Sequence, residues 1–291
     1  MPPIRVMTFN VRYDSDEEGV PSWAHRRARV LEMIHKSDPD LISLQEPDAS
    51  QWSDICDDLT GYSPFGLFDD GSGNVEPHGG LFRTSRFDSR DAGVFWLSDT
   101  PSVPHSVSWP TDWEPRAAGW TRLRDRTADR ELVFAATHFD TNSRAWLPSS
   151  RVLYRELDAI AHAPTIVAGD FNCAARSEAH RYLLEHAGFR DAWYEAGHTD
   201  AGTLTFHGFT GRRHLPADPG ALEEWLRAIT GDVDVFAHYA DHVRVHENYR
   251  IDWILVRGAL AVVNAEIVYD TDRGTPASDH YPVVGLLEWT P

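Results

Sequence analysis

What most narrows the folds open to this chain is where its polar residues fall relative to its apolar runs. Residues 4–9 form a β-rich run that ends on Asn10, and 41–45 ends on Glu46. The run 132–137 ends on His138 with Asp140 two residues on, and 165–169 ends on Asp170, followed by Phe171 and Asn172. Two further runs begin on such a residue: Asp252 opens 252–256, and Asp279-His280 opens 281–287. A lone carboxylate or amide at a strand end is ordinarily a solvated turn residue, and Asn10 by itself could cap a turn. Six such ends, each carrying a side chain able to bind a cation or a phosphate, are hard to assign to turns alone. If the last two strands run opposite to the others, all six meet on one edge of a mixed sheet.

The rest of the pattern suits that arrangement. Apolar β-rich runs also occur at 80–82, 93–97 and 261–268. Helical spacing is read at 22–36, with Ser22 as N-cap and a stop at Asp38-Pro39, at 144–162, and at 177–187 with Gly188 as terminator. Strands alternating with helices, then strand-rich stretches with turns, predict two stacked sheets with helices outside. No repeat or linker divides the chain, so residues 1–291 are expected to form one domain. The polar stretch 211–247, with a short helical pattern at 221–229, is expected to leave the core as an insertion, a lid or a rim. Within it His238, His242 and His246 have the i, i+4 spacing of a metal-binding helix face. The alternation of Val243 and Val245 instead favours a strand leading into Asp252.

Composition removes several function classes. A balance of 42 % hydrophobic and 25 % charged residues is that of an ordinary globule, and no apolar run reaches the ~20 residues of a membrane span. The start, Met1 to Asn10, has no basic region followed by an apolar stretch, so no signal peptide is read and a cytoplasmic location is expected. Cys56 and Cys173 are expected to be free thiols. With 45 acids against 27 bases and a formal charge of −18, tight non-specific grip on nucleic acid is excluded, since that needs a basic surface. A bound cation could still supply positive charge locally for a phosphorylated substrate.

The sequence is similar to the endonuclease/exonuclease/phosphatase superfamily, the DNase I-like fold, through Met7-Thr8-Phe9-Asn10, Leu44-Gln45-Glu46, Thr137-His138-Phe139-Asp140, Gly169-Asp170-Phe171-Asn172, Ile251-Asp252-Trp253-Ile254 and Ser278-Asp279-His280-Tyr281-Pro282-Val283. These follow the superfamily's order along almost the whole chain. Asn10-Val11-Arg12-Tyr13-Asp14 and Phe95-Trp96-Leu97-Ser98 resemble a bacterial branch of mostly uncharacterised members. The resemblance implies an α/β four-layer sandwich, two mixed, mostly antiparallel β-sheets flanked by helices, and Mg²⁺-dependent cleavage of a phosphoester. It implies Glu46 as principal metal ligand with Asn10 and Asp279 close by, and oxygen-rich ligation suits Mg²⁺ or Mn²⁺. It further implies His280 as base or phosphate contact oriented by Asp252, Asp170 and Asn172 positioning water and phosphoryl group, and His138 hydrogen-bonding a non-bridging oxygen. Whether Asp170 or His280 deprotonates the water stays open.

Other residues are candidates for substrate contact. Some members carry an acid two residues after the first Asn, where this chain has Arg12, which either binds substrate phosphate or forms a salt bridge. Arg116 sits in a loop with Trp109, Trp113 and Trp120, of which Trp120 reads as core and the others as possible stacking surfaces. Asp140, Glu76 and His207 complete the set, the last two as rim residues. The expected activity is hydrolysis of a small or short phosphomonoester or phosphodiester, such as a nucleotide or sugar phosphate, by a monomer. The alternatives are a deadenylase-like exonuclease on single strands, a sphingomyelinase-like lipid phosphodiesterase, for which neither secretion signal nor apolar hairpin is read, and a binding protein that has lost catalysis.

Overall fold

The computed structural model describes residues 2–15, 20–69, 71, 75–160, 162–230, 240, 242–270, 274 and 276–291. Two six-stranded sheets form its centre. The first contains β1 (Ile4–Asn10), β2 (Leu41–Gln45), β3 (Tyr62–Asp69), β4 (Val75–Arg83), β11 (Leu260–Ile267) and β12 (Val283–Trp289), in the order β11-β12-β1-β2-β4-β3. The second contains β5 (Phe87–Trp96), β6 (Ala117–Asp125), β7 (Arg130–His138), β8 (Thr165–Asp170), β9 (Arg190–Asp191) and β10 (Asp252–Arg257), in the order β5-β6-β7-β8-β10-β9.

Alternation along the strands makes four layers. Phe134 and Ala136 of β7 point between the sheets, where they join Val6, Leu41, Ile166 and Ile254 in one buried cluster. Their neighbours Val133 and Ala135 face the other way, onto Val152, Leu153 and Leu157 of α3 (Ser143–Ile160) and Leu183 of α4 (Glu178–Glu185). On the far side Met7, Phe9, Ile42 and Leu44 cover Val30, Leu31 and Ile34 of α1 (Trp23–Ser37) and Ile55 of α2 (Ala49–Asp58). Each fully buried Leu or Phe contributes ~1.5–3 kcal/mol, so these three apolar interfaces dominate the stability. Among the described residues no helix is long and apolar enough to cross a membrane.

Strand direction gathers the polar ends. β1 and β2 are parallel with Asn10 opposite Gln45, and β7 and β8 are parallel with His138 opposite Asp170. β10 and β12 run antiparallel to β8 and β1, so Asp252 lies opposite Asp170. The reversal that the sequence required of the last two strands is therefore present. Close backbone approach holds the register: a Cβ on Gly169 would come within 2.1 Å of the Thr137 carbonyl oxygen, and one on Gly80 within 1.8 Å of that of Ile42.

Several elements differ from the sequence reading. α2, β3 and β6 were not expected; β6 alternates buried and half-buried residues but carries Arg122 and Arg124 on its outer face, which dilutes its apolar signal. Ser22 stands at the N-cap of α1, but its hydroxyl meets His25 Nδ1 at 2.8 Å instead of capping a backbone amide. In the 211–247 stretch, α6 (Pro219–Thr230) extends the expected helix. Residues 242–246 are helical, which corrects the strand reading of Val243 and Val245, while His238 lies outside the described residues. Cys56 and Cys173 are free thiols.

Candidate active site

The first sheet contributes an amide and two acids. Asn10, fully buried at the end of β1, donates from Nδ2 to Glu46 Oε1 at 2.9 Å and to Asp170 Oδ2 at 3.0 Å. Its Oδ1 accepts from the Arg12 amide at 3.0 Å. The Ser278 hydroxyl donates to the Asn10 carbonyl at 2.7 Å and lies 3.1 Å from Asp279 Oδ1, which ties the Ser-Asp-His segment to the end of β1. Arg12, Glu46 and Asn172 all adopt left-handed backbone, with φ of 56°, 65° and 51°. Such conformations are uncommon for non-glycine residues and cluster where a side chain must be held against the local preference.

The second sheet contributes the imidazoles. His138 Nδ1 accepts from Arg116 at 3.1 Å, because a guanidinium can only donate. The other ring nitrogen, Nε2, lies 3.0 Å from Asn172 Nδ2 and 3.4 Å from Asp170 Oδ2. Asn172 donates its amide N–H to Asp170 Oδ1 at 2.8 Å and its Nδ2 to the Phe139 carbonyl at 2.8 Å. His280 Nδ1 is 3.0 Å from Asp252 Oδ2, and its Nε2 is 3.7 Å from Asp170 Oδ2. Asp252 is in turn fixed by Thr205, whose hydroxyl oxygen accepts from the Ile251 and Asp252 amides at 3.0 and 3.2 Å. Thr205 was missed from the sequence, where a threonine 47 residues away carries no local signal.

Burial decides the electrostatics. Burial and the neighbouring Asp252 push Asp170 up to about 7. Burial alone would lower His280, but Asp252 and Asp170 outweigh it and raise it to about 10, so the ring is an imidazolium at neutral pH. His138 is held well below its ordinary value by burial, Arg116 and His280, and stays neutral. Burial, with Glu46 nearby, raises Asp279.

This donor set fits a hard cation. Ligand atoms of Glu46, His138 and Asp170 lie within 4.8 Å of one another, as do those of Asp170, Asp252 and His280. Among the described residues, Asp252 Oδ1 is buried without a hydrogen-bond partner. Oxygen-rich clusters of this kind suit Mg²⁺ or Mn²⁺ better than softer metals.

The remaining sequence candidates fall in different places. Arg12 reaches between the acids, 3.7 Å from both Glu46 and Asp279, in the ion-pair arrangement. Asp140 is 2 % exposed and occupied: it accepts from the Thr111 hydroxyl at 2.5 Å and from the Asp112 and Asn142 amides at 2.9 and 2.8 Å. That corrects its reading as a substrate contact, since its oxygens anchor the loop that presents Trp113, itself 58 % exposed. Trp109 and Trp120 pack partly buried on the core. His207 is fully buried against the Tyr281 ring at 4.0 Å, so it is not a rim residue. Its Nδ1 accepts from the Gly211 amide, and burial lowers it to about 3. Glu76 is half-exposed near the start of β4, 3.3 Å from His78 and 3.9 Å from His105. His242 and His246 meet edge to face with ring centroids 4.6 Å apart, and His242 Nε2 accepts from the Ala174 amide at 2.7 Å, which leaves that nitrogen no lone pair for a metal.

Comparison with known proteins agrees with the fold. A crystal structure described as an endonuclease/exonuclease/phosphatase family protein from Bacteroides thetaiotaomicron superposes with TM-score 0.80 at 22 % identity, covering 100 % of both chains. A mannosyl-6-phosphatase from Bacteroides thetaiotaomicron superposes with TM-score 0.79 at 22 % identity, over 98 % of this chain and 100 % of that one. An uncharacterized protein of Acanthamoeba polyphaga mimivirus is 25 % identical over 185 residues, 58 % of this chain and 67 % of the relative. The model of the Endonuclease/Exonuclease/phosphatase family matches residues 7–280, from the run ending on Asn10 to His280 itself, and the chain belongs to that family.

Proposed function

We propose that this chain is a divalent-metal-dependent phosphoesterase that hydrolyses a phosphomonoester or phosphodiester of a small or short substrate, such as a nucleotide or a sugar phosphate. The observation that carries this reading is the environment of Asp170. Its Oδ2 lies 3.0 Å from Asn10 Nδ2, 3.4 Å from His138 Nε2 and 3.7 Å from His280 Nε2, so one carboxylate oxygen gathers three nitrogens from both sheets. Phosphoryl transfer spreads charge over non-bridging oxygens, and fixed donors around an acid able to take a proton are what that chemistry uses.

Glu46 is the principal metal ligand in this reading, with Asn10 and Asp279 beside it. Mg²⁺ or Mn²⁺ would supply Lewis-acid stabilisation of the phosphoryl oxygens. The chain's own groups do the rest. Asp170, raised toward neutrality, accepts the proton of the attacking water, and Asn172 holds its other oxygen in place. His280 acts as a cation on the phosphoryl group, oriented by Asp252. This favours Asp170 over His280 as the base. His138, kept neutral by burial and by Arg116, lies beside the phosphoryl group in this reading, and Arg12 contacts the substrate phosphate once a cation satisfies Glu46 and Asp279. The chain's likeness to the mannosyl-6-phosphatase supports a small phosphorylated substrate. The net charge of −18 supports it over long nucleic acid.

The test is hydrolysis of p-nitrophenyl phosphate, bis-p-nitrophenyl phosphate, nucleotides, sugar phosphates and short oligonucleotides with Mg²⁺, Mn²⁺ or EDTA. Metal-dependent turnover that disappears in His280→Ala is expected. Turnover that survives both EDTA and His280→Ala would sink the assignment.

A further inference from the structure

The loop that follows Phe206 carries a feature the reaction centre does not use. Phe206 lies against the His280 ring at 4.9 Å, and the next two amides, His207 and Gly208, donate to the Asp279 carbonyl. From there residues 210 and 212–217 run on and, with Trp225 of α6, line an open groove of about 520 Å³. Arg212 and Arg213 supply its charge beside His214, and among the described residues no carboxylate lines it. Three basic residues in succession stand out in a chain of net charge −18. Arg212 is exposed and has no acidic partner among the described residues. The nearest acid along the chain, Asp218, is engaged with the Ala221 amide at 2.9 Å.

Trp225, which is 5 % exposed, forms one wall of the groove. Rings connect the groove to the reaction centre by two routes. Arg213 lies over Tyr269 at 5.1 Å, and Tyr269 packs on Tyr281 at 5.0 Å, next in the chain to His280. Trp225 packs on Tyr249 at 6.3 Å, Tyr249 on Phe206 at 5.7 Å, and Phe206 on His280.

We propose that this groove is an anion subsite that binds a second anionic group, phosphate or carboxylate, on the same molecule whose phosphoester is cleaved. The substrate class is then a small molecule with two anionic groups held apart by a linker. This deepens the phosphoesterase reading and rests on it. The basic residues are confined to one loop of an acidic protein, which fits one discrete anion and not a polyphosphate backbone.

The experiment compares alkanediol bisphosphates of increasing chain length with the matching hydroxyalkyl monophosphates. The readout is the ratio of their kcat/KM values, in the wild type and in Arg212→Glu and Arg213→Glu. A ratio that rises about tenfold over one span of lengths and falls toward unity in the variants is expected, because charged hydrogen bonds of this kind reach that size. The ratio cancels any general loss of activity. A ratio near unity at every length, with p-nitrophenyl phosphate still hydrolysed, overturns the subsite and leaves the phosphoesterase reading standing. A raised ratio unchanged in both variants overturns it as well, by putting the second anion elsewhere. If no phosphoester is turned over, the phosphoesterase reading falls. Calorimetric binding of the same bisphosphates against the monophosphates then decides the subsite: tighter binding lost in Arg212→Glu supports it, and equal binding overturns it.

Discussion

Asn10 Nδ2 donates to Asp170 Oδ2 at 3.0 Å across 160 residues of sequence, and this one bond joins the two sheets at the floor of the site. Asp170→Asn replaces an acceptor with a group that cannot take a proton, and leaves the site's shape in place. A fall in kcat of ~10²–10⁴ is expected with little change in thermal stability. Steady-state kinetics beside a melting curve checks it, and near wild-type kcat would remove Asp170 from the mechanism.

Glu46 is the acid that Asn10 and the Tyr13 amide hold in position, at 2.9 and 3.4 Å. Glu46→Ala is expected to weaken Mn²⁺ binding at least ~10-fold, read directly from the signal of free Mn²⁺ in solution without reference to activity. Saturating Mn²⁺ is expected to raise the melting temperature of the wild type, since a ligand at ~100 times its Kd adds ~2.7 kcal/mol. An unchanged melting temperature would mean that the acids hold no cation.

Asp140 acts through the loop it anchors. Asp140→Asn removes the acceptor for the Thr111 hydroxyl or for the Asp112 and Asn142 amides and frees the segment bearing Trp113. The loss of ~1–1.5 kcal/mol of net hydrogen bonding predicts a KM raised about 5- to 10-fold with a smaller change in kcat. Equal falls in kcat and kcat/KM would instead make Asp140 part of the reaction.

Asp191 lies outside the proposed metal site, buried between Arg250 at 2.7 Å and His180 at 2.8 Å. Burial would raise its carboxyl, but Arg250 and His180 outweigh burial and bring it from 3.8 to about 2. Because the folded value is the lower one, the stabilisation is complete above about pH 4 and is lost as pH falls through 2. Asp191→Asn is expected to cost ~2–3 kcal/mol near neutral pH, the worth of that shift, while Arg250 keeps Asp200 at 2.9 Å. The gap from wild type should narrow on acidification from pH 4 to 2, which urea unfolding at a series of pH values measures. A gap constant with pH would mean that the pair contributes only packing.

Gly169 precedes Asp170 where β8 passes closest to β7. Gly169→Ala places a Cβ 2.1 Å from the Thr137 carbonyl oxygen, and backbone cannot move aside as a side chain can. A loss of ~2 kcal/mol or more is expected, with reduced kcat because Asp170 moves with the strand. Unchanged melting and activity would show that the two strands can separate freely there.

The sequence by itself determined which polar residues stand at the ends of its apolar runs and where many of the strands and three of the helices fall. Asn10, Glu46, His138, Asp170, Asp252 and His280 were legible because each interrupts an apolar run at its end, and α1, α3 and α4 because their apolar positions repeat at helical spacing. Both signals depend only on neighbours along the chain. Only the tertiary structure decided that Arg12 lies between Glu46 and Asp279, that Asp140 holds a loop, that His207 is sealed under the site, and that residues 242–246 are helical. Those outcomes depend on strand register and on packing between segments far apart in the chain, where a one-residue shift turns every side chain to the other face, and no local pattern records which register wins.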